Sequence, residues 1–121
     1  MGKYVDGFVI PIAKKKVKAY QAIAKKAAKV WMDHGALEYR ECIGQDIDGD
    51  FGLPFPRLAK TKPGETVIFS WIVYKSKSHR DKVCAKVMQD PRILKVKPED
   101  MPFDSKRMSY GGFDVIVDVL K

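Results

Sequence analysis

Cysteine and histidine are both scarce in this chain of 121 residues. The two cysteines, Cys42 and Cys84, lie far apart and form no CxxC pair, which favours neither a disulfide framework nor a structural zinc site. Both fall inside predicted elements, so we interpret them as small buried apolar side chains. The two histidines, His34 and His79, have no cluster of Cys, Asp or Glu beside them in the sequence. No metal site and no cofactor are therefore predicted.

Long apolar runs and targeting signals are also missing. No apolar run approaches the roughly 20 residues that cross a bilayer, so no membrane partner is expected. The N-terminal segment MGKYVDGFVIPIAKKK has a short apolar core followed by lysines, the reverse of the order in a signal peptide. Asp6 stands where N-myristoylation needs Ser or Thr. We therefore expect a cytoplasmic protein.

Recognisable calcium and nucleotide motifs are absent too. The spacing of Asp46, Asp48 and Asp50 invites comparison with a calcium loop, but an EF-hand would then need Gly at position 51 and Glu at position 57. The chain has Phe51 and Arg57 there, so we interpret the run as a solvated turn. Neither GxGxxG nor GxxxxGK[ST] occurs, and no nucleotide site is indicated.

The chain does have a basic balance, with a formal net charge of +8 and a pI of about 9.5. Such a charge admits nucleic acid or anionic metabolites as partners, and equally fits a soluble protein with a lysine-rich helix face. Hydrophobic residues make up 45% and charged residues 31%, which is ordinary for a globular protein. The length predicts one domain over residues 1–121 with one modest core.

The most informative segment is VIFSWIVY, residues Val67 to Tyr74. Strand side chains alternate between two faces, and this segment is apolar on both of them. Helices of the same chain can cover one face. The other face needs a second cover, and a second copy of the chain is the simplest candidate. The segment therefore predicts a homodimer.

The remaining patterns predict alternating strands and helices. The apolar stripe Val17, Tyr20, Ala24, Ala27 and Trp31 steps by three and four and predicts a helix. The predicted order is strand Tyr4–Ile12, helix Lys15–His34, strand Leu37–Gln45, strand Val67–Tyr74, helix Ser78–Gln89 with Ser78 in its cap, and strand Phe113–Leu120. This order predicts the α+β ferredoxin-like βαββαβ fold, an antiparallel sheet with two helices on one face.

Several of these segments resemble a known family. The stretches FSWIVYKSKSHRDKVCAKVMQDPRI and DSKRMSYGGFDV, the first strand YVDGFVIPI, and the loop FGLP are similar to the YbaA-like family of uncharacterised bacterial proteins. The resemblance implies a dimeric α+β barrel, in which two ferredoxin-like sheets face each other. Relatives by fold include cofactor-independent oxygenases, isomerases, haem proteins and ligand-sensing domains, and a fold does not choose among them.

Polar residues within the apolar strands are the candidate site. Asp6 is a candidate general base and Arg40 its partner or an anion clamp; a structural Asp–Arg pair that fixes the sheet register remains the alternative. Candidate ligand-binding residues are Trp71, Tyr74, Arg107 and Tyr110. The glycines at 111 and 112 fit either an anion site with Arg107 or a strand entry. The long loop Asp46–Glu65 is a candidate lid.

Two functions of different classes remain open. The first is a homodimer that binds a small molecule, with cofactor-independent oxygenase or isomerase activity as one form of it. The second is an RNA- or polyanion-binding module that uses the lysines at positions 14, 18, 25 and 29. Single-stranded RNA recognition would need exposed aromatic side chains on the open sheet face, which a dimer would bury.

Overall fold

The computed structural model of the chain describes residues 2–121 and has the predicted α+β architecture. Three short 3₁₀ turns, Lys14–Lys16, Pro98–Asp100 and Ser105–Arg107, lie between the main elements. The elements are β1 (Tyr4–Ala13), α1 (Val17–Asp33), β2 (Glu38–Ile43), α2 (Phe55–Leu58), β3 (Glu65–Tyr74), α3 (Lys77–Gln89), α4 (Pro91–Leu94) and β4 (Ser109–Asp114).

The four strands form one antiparallel sheet in the order β2-β3-β1-β4. β1 and β3 are central, so their side chains decide what each face of the sheet presents. We call the side with Asp6, Ile10 and Ile72 the helix face, because both long helices pack there. The opposite side, with Val9 and Trp71, is the open face. The alternation predicted for Val67–Tyr74 is confirmed.

Two apolar clusters attach the helices to the helix face. One contains Val30 of α1, Ile72 and Tyr74 of β3, and Val83 and Val87 of α3. The second contains Ile10 and Ile12 of β1, Tyr20 and Ala24 of α1, and Ile68 of β3. Phe8 packs against both clusters. The helical stripe that the sequence predicts for α1 therefore faces the sheet as expected.

The last strand differs from the prediction. β4 spans Ser109–Asp114 and pairs with Tyr4–Val9 of β1, so it begins and ends earlier than the predicted Phe113–Leu120. Residues 115–121 continue beyond the sheet without regular secondary structure. Only residues 113 and 114 of the predicted strand belong to β4, so the prediction is wrong for the rest of its length.

The cap of α3 also differs. The helix begins at Lys77, and Ser76 is its N-cap residue, whose side chain accepts a hydrogen bond from the His79 amide at 3.1 Å. The predicted cap, Ser78, lies inside the first turn and contacts Ser76 Oγ at 3.2 Å. Serine is a favoured N-cap residue at either position, and the extended backbone at Ser76 makes that residue the cap.

The loop between β2 and β3 contains the short helix α2 and turns towards the open face. Phe55 of α2 packs against Phe69 with ring centroids 6.0 Å apart. One end of the open face is therefore covered by the chain itself, and Val67 is buried there. In the part of the chain that the structure describes, no helix is long and apolar enough to cross a membrane.

Candidate functional site

A large, partly open cavity lies between the helix face of the sheet, the two long helices and the segment 91–108. Its volume is about 1620 Å³, and its walls come from β1, β2, β3, α1, α3 and the segment 91–108. Ligand pockets are more often about 300–1,000 Å³, so this space can accept a sizeable molecule. The lining is mostly apolar and includes Phe8, Ile10, Trp31, Ile72, Met88 and Phe103.

One end of the cavity holds a buried ionic cluster around Asp6. The Asp6 side chain is only 3% exposed, and Arg80 of α3 donates from Nη1 to its Oδ1 at 3.0 Å. The same Arg80 nitrogen donates to the Tyr110 hydroxyl at 2.9 Å, and that hydroxyl donates to Asp6 Oδ1 at 3.3 Å. The Arg80 guanidinium also lies over the ring of Tyr4. We call Asp6, Arg80 and Tyr110 the acid–arginine cluster.

The protonation of this cluster is set by burial. Burial raises the pKa of the Asp6 carboxyl above its ordinary value, and the positive charge of Arg80 opposes that rise. Burial also raises the pKa of Tyr110, which keeps its hydroxyl protonated and able to donate at neutral pH. A buried carboxyl with a raised pKa is a better proton acceptor than an exposed aspartate.

A second carboxylate lies beside the Arg80 guanidinium. Arg80 Nε is buried, and an Asp81 oxygen lies 2.9 Å from it. The Asp81 contact is an ion pair rather than a well-aligned hydrogen bond. Arg80 is therefore held between Asp6 on the sheet and Asp81 on its own helix.

A second polar group lines the cavity on the β2 side. Tyr20 of α1 donates to Glu41 Oε1 at 2.8 Å, and Tyr39 donates to Glu41 Oε2 at 2.9 Å. Burial, followed by the charge of Glu41, raises the pKa of both phenols, so both remain donors at neutral pH. The Glu41 carboxylate is thus held from two sides. We call these three residues the glutamate cluster.

The sheet register fixes the spacing of the two clusters. Glu41 pairs with Ser70, which pairs with Phe8, and Asp6 lies two residues from Phe8 along β1. Two strand spacings and one two-residue step put the Cα atoms of Glu41 and Asp6 about 12 Å apart. The surface between them is formed by Phe8, Ser70 and Ile72. The cavity therefore has polar groups at two ends and an apolar middle.

Of the six predicted site residues, the structure brings together Asp6 and Tyr110. Arg40 contributes to the cavity rim on β2, but its side chain is 62% exposed and its Nε pairs with Glu38 at 3.4 Å. The predicted Asp6–Arg40 pair is therefore replaced by Asp6–Arg80. The error arose because Arg40 and Glu41 alternate across the sheet, and Glu41 is the one that faces the helices.

Trp71 and Tyr74 do not line the cavity. Trp71 lies on the open face, where its Nε1 donates to Glu38 at 2.6 Å and its ring packs against Phe69. Tyr74 is on the helix face but is fully buried in the core, and its hydroxyl accepts from Trp31 at 3.1 Å. Both positions explain the apolar character of β3 without a ligand.

Arg107 is engaged as a structural clamp rather than aimed at the cavity. It donates to both carboxylate oxygens of Glu65 at 2.8 Å and to the Lys60 carbonyl at 3.0 Å. The paired glycines are strand positions within β4. A Cβ on Gly112 would collide with the ring and hydroxyl of Tyr4. The predicted anion site at these glycines is thus replaced by close strand packing.

The predicted lid is also in a different place. None of residues 46–65 lines the cavity, since that loop packs towards the open face. The cover comes instead from the second irregular region, whose lining residues include Ile93, Val96, Met101, Phe103 and Met108. These apolar side chains need a surface to pack on, which is why this region crosses the helix face.

Arg80 is the main residue of the candidate site that the sequence did not predict. It falls in the same helical stripe as Val83, Cys84 and Val87, the residues that bury α3 against the sheet. A basic residue inside an apolar stripe needs a buried partner, and this signal could have identified it. Glu41 carried a comparable signal, because it shares a strand face with Tyr39 and Ile43.

The basic helix face is exposed as a solvated surface. Lys14, Lys18, Lys25 and Lys29 are all exposed, and Lys29 pairs with Asp33 at 3.2 Å. Lys25 and Lys29 also line the cavity, at its solvent side. The basic helix face has no aromatic side chain interleaved with the lysines, so it lacks the stacking groups typical of single-strand recognition.

A four-stranded antiparallel sheet with helices on one face, and a large cavity between the two layers, defines a ferredoxin-like α+β protein with room for a ligand. The chain belongs to the family described as protein of unknown function (DUF1428), whose sequence profile matches residues 3–105. It is 46% identical over 116 residues to the uncharacterized protein YbaA of Escherichia coli strain K12, which covers 96% of this chain and 98% of the relative.

Solved structures show the same fold at low sequence identity. An uncharacterized NIPSNAP domain protein from Burkholderia xenovorans superposes with a TM-score of 0.62 at 15% identity, covering 98% of this chain and 99% of that one. A candidate antibiotic biosynthesis monooxygenase from Nitrosomonas europaea gives a TM-score of 0.60 at 12% identity, covering 96% and 93%. These likenesses confirm the ferredoxin-like fold.

Proposed function

We propose that this protein binds a small, largely apolar molecule in the cavity between the sheet and the helices. The observation that carries the proposal is the acid–arginine cluster: a buried carboxylate, held by a largely buried arginine and a tyrosine hydroxyl, at the end of an apolar cavity. An apolar wall with a few convergent polar groups is the usual composition of a ligand site.

The chemistry of the cluster indicates the polar group it would hold. The Arg80 guanidinium is positively charged and carries only donors, so it would hold an acceptor oxygen such as that of a carbonyl, a carboxylate or a sulfonate. Asp6, with its raised pKa, would accept a proton from an adjacent hydroxyl or from a carbon beside the carbonyl. Arg80 and the Tyr110 hydroxyl would then stabilise the resulting oxyanion. This is the step that a cofactor-independent oxygenase or an isomerase requires, and it is the enzymatic form of the proposal.

Binding can be tested with the fluorescent probe 1-anilinonaphthalene-8-sulfonate, whose rings and sulfonate match the apolar wall and Arg80. Ala27 of α1 lines the cavity, so Ala27→Trp should occupy the space and weaken probe binding by roughly tenfold or more. Gln21→Trp adds the same side chain at an exposed position of the same helix and should leave binding unchanged. Equal binding by all three proteins would show that the probe, and the site, lie elsewhere.

The polar end of the cavity is tested by two substitutions that each remove one charge and that should change probe affinity in opposite directions. Asp6→Asn removes the charge that compensates Arg80, so the anionic probe should bind more tightly. Arg80→Met removes the positive charge that would pair with the sulfonate of the probe, so the probe should bind more weakly. Far-UV circular dichroism checks that both variants fold. Probe affinity that responds to neither change, in folded variants, would contradict a role for the acid–arginine cluster in binding.

A further inference from the structure

The Glu41 carboxylate, at the end of the cavity away from Asp6, is held only by neutral groups. Its hydrogen-bond partners among the described residues are the hydroxyls of Tyr20 and Tyr39, at 2.8 Å and 2.9 Å. All three side chains line the cavity, and Glu41 is half-buried. A carboxylate among apolar side chains is costly unless its oxygens find donors, so these contacts hold Glu41 in place.

The two tyrosines do not use all the acceptor positions of Glu41. An ionised carboxylate has about four lone-pair positions on its two oxygens. Tyr20 donates to one oxygen and Tyr39 to the other. Each oxygen therefore keeps acceptor capacity for a donor group on a molecule in the cavity.

The charge at the solvent side of the cavity selects the kind of donor. The exposed charged residues of the lining are mainly basic and include Lys25, Lys26 and Lys95. These side chains repel a cationic ligand, whereas a neutral hydroxyl group carries no such penalty. Glu41 is therefore better suited to a ligand hydroxyl than to a ligand ammonium group.

We propose that the cavity takes an elongated molecule whose hydroxyl group donates to Glu41 while an acceptor oxygen at its other end is held by Arg80. This inference rests on the proposed binding function and specifies the class of ligand: an apolar body with a hydroxyl at one end and a carbonyl or carboxylate at the other. Phe8 and Ile72 form the apolar surface on which that body would lie.

The sheet register sets the length of such a ligand. The Cα atoms of Glu41 and Asp6 lie about 12 Å apart, which follows from the strand spacing. Subtracting a hydrogen bond of about 3 Å at each end leaves roughly 6–9 Å between the polar atoms of the ligand, the upper value allowing for bonds that are not collinear. Two fused aromatic rings with substituents at opposite ends span this distance, so 6-hydroxy-2-naphthoate is a suitable probe.

Isothermal titration calorimetry at pH 7 compares 6-hydroxy-2-naphthoate with 2-naphthoate on the full chain. The hydroxylated probe should bind roughly tenfold more tightly, because it adds one hydrogen bond to a carboxylate. Glu41→Gln keeps the side-chain size and removes the charged acceptor, so the preference should fall to about threefold or less. Glu38→Gln makes the same change on the same strand, but Glu38 lies on the open face beside Trp71, so the tenfold preference should remain.

The outcomes separate this inference from the binding function on which it rests. If neither naphthoate binds the parent chain, or if Ala27→Trp leaves both affinities unchanged, the cavity is not the binding site and both proposals fail. If both naphthoates bind the parent chain equally and Ala27→Trp weakens both, the binding function stands and the role of Glu41 is wrong. A purely structural Glu41 would lower the melting temperature in Glu41→Gln and leave the preference for the hydroxylated probe intact, which would also overturn the inference. The comparison of the two probes on the parent chain decides the question even if Glu41→Gln does not fold.

Discussion

At the scale of single residues, two buried or half-buried carboxylates have opposite electrostatic environments. The Arg107 guanidinium beside Glu65 lowers the pKa of that carboxyl from its ordinary value to about 2. Burial raises the pKa of Asp6 despite the nearby Arg80. The ionised form of Glu65 therefore stabilises the fold. The ionised form of Asp6 is disfavoured by burial, so it does not stabilise the fold in the same way. This contrast supports a structural role for the Glu65–Arg107 pair and a role in ligand binding for the Asp6–Arg80 pair.

The lowered pKa of Glu65 gives a pH dependence with a definite sign. A carboxyl with a depressed folded pKa contributes stability that is present above about pH 4.5 and is lost as the pH falls towards about 2. Glu65→Gln should therefore lower the free energy of unfolding at pH 7 by about 1–3 kcal/mol. The difference from the parent chain should shrink between pH 5 and pH 2.

Denaturant unfolding at several pH values measures this difference. Glu99→Gln provides the matched control, since Glu99 is exposed and makes no ion pair among the described residues. A penalty for Glu65→Gln that stays constant down to pH 2 would mean that the Arg107 contact does not depend on the charge of Glu65.

At the scale of elements, β3 contributes side chains to both faces of the sheet. Ile72 is buried in the helix-face core, so Ile72→Ala should lower the free energy of unfolding by about 2–5 kcal/mol at any protein concentration. Trp71 lies on the open face, where a second copy would cover it. If the predicted homodimer forms, Trp71→Ala should lower the melting temperature most at high protein concentration, where that dimer would be most populated.

Differential scanning fluorimetry over a wide protein concentration range separates the two effects. If Trp71→Ala lowers the melting temperature by the same amount at every protein concentration, Trp71 stabilises the single chain. That result would contradict the expectation that a second copy covers the open face.

How far the sequence predicted this molecule depends on the kind of contact involved. The spacing of apolar residues in α1 follows from the sheet on which the helix packs, and the alternation in β3 follows from the two faces of that sheet, so both elements were predicted. β4 was misplaced because residues 115–120 carry a strand pattern that their own sheet does not use. Arg80 was missed because its partner, Asp6, is distant in sequence, and only the packing of α3 over β1 brings the two together.

At the scale of the whole molecule, the separation of the two layers is the feature that supports a binding function. The two apolar clusters attach the helices at opposite ends of the helix face, with Phe8 between them. The region between the clusters stays open, and the segment 91–108 covers it. A mostly apolar space of this size with polar groups at its ends has the usual composition of a ligand site.

The most direct test of this account is methyl NMR of the protein during titration with 1-anilinonaphthalene-8-sulfonate. Binding of the probe in the cavity should change the chemical shifts of the methyl groups of Ile10, Ile72 and Met108, which line it. The methyl groups of Val5 and Val9 on the open face should show no change. Shifts confined to the open-face valines, with the cavity methyl groups unmoved, would contradict it.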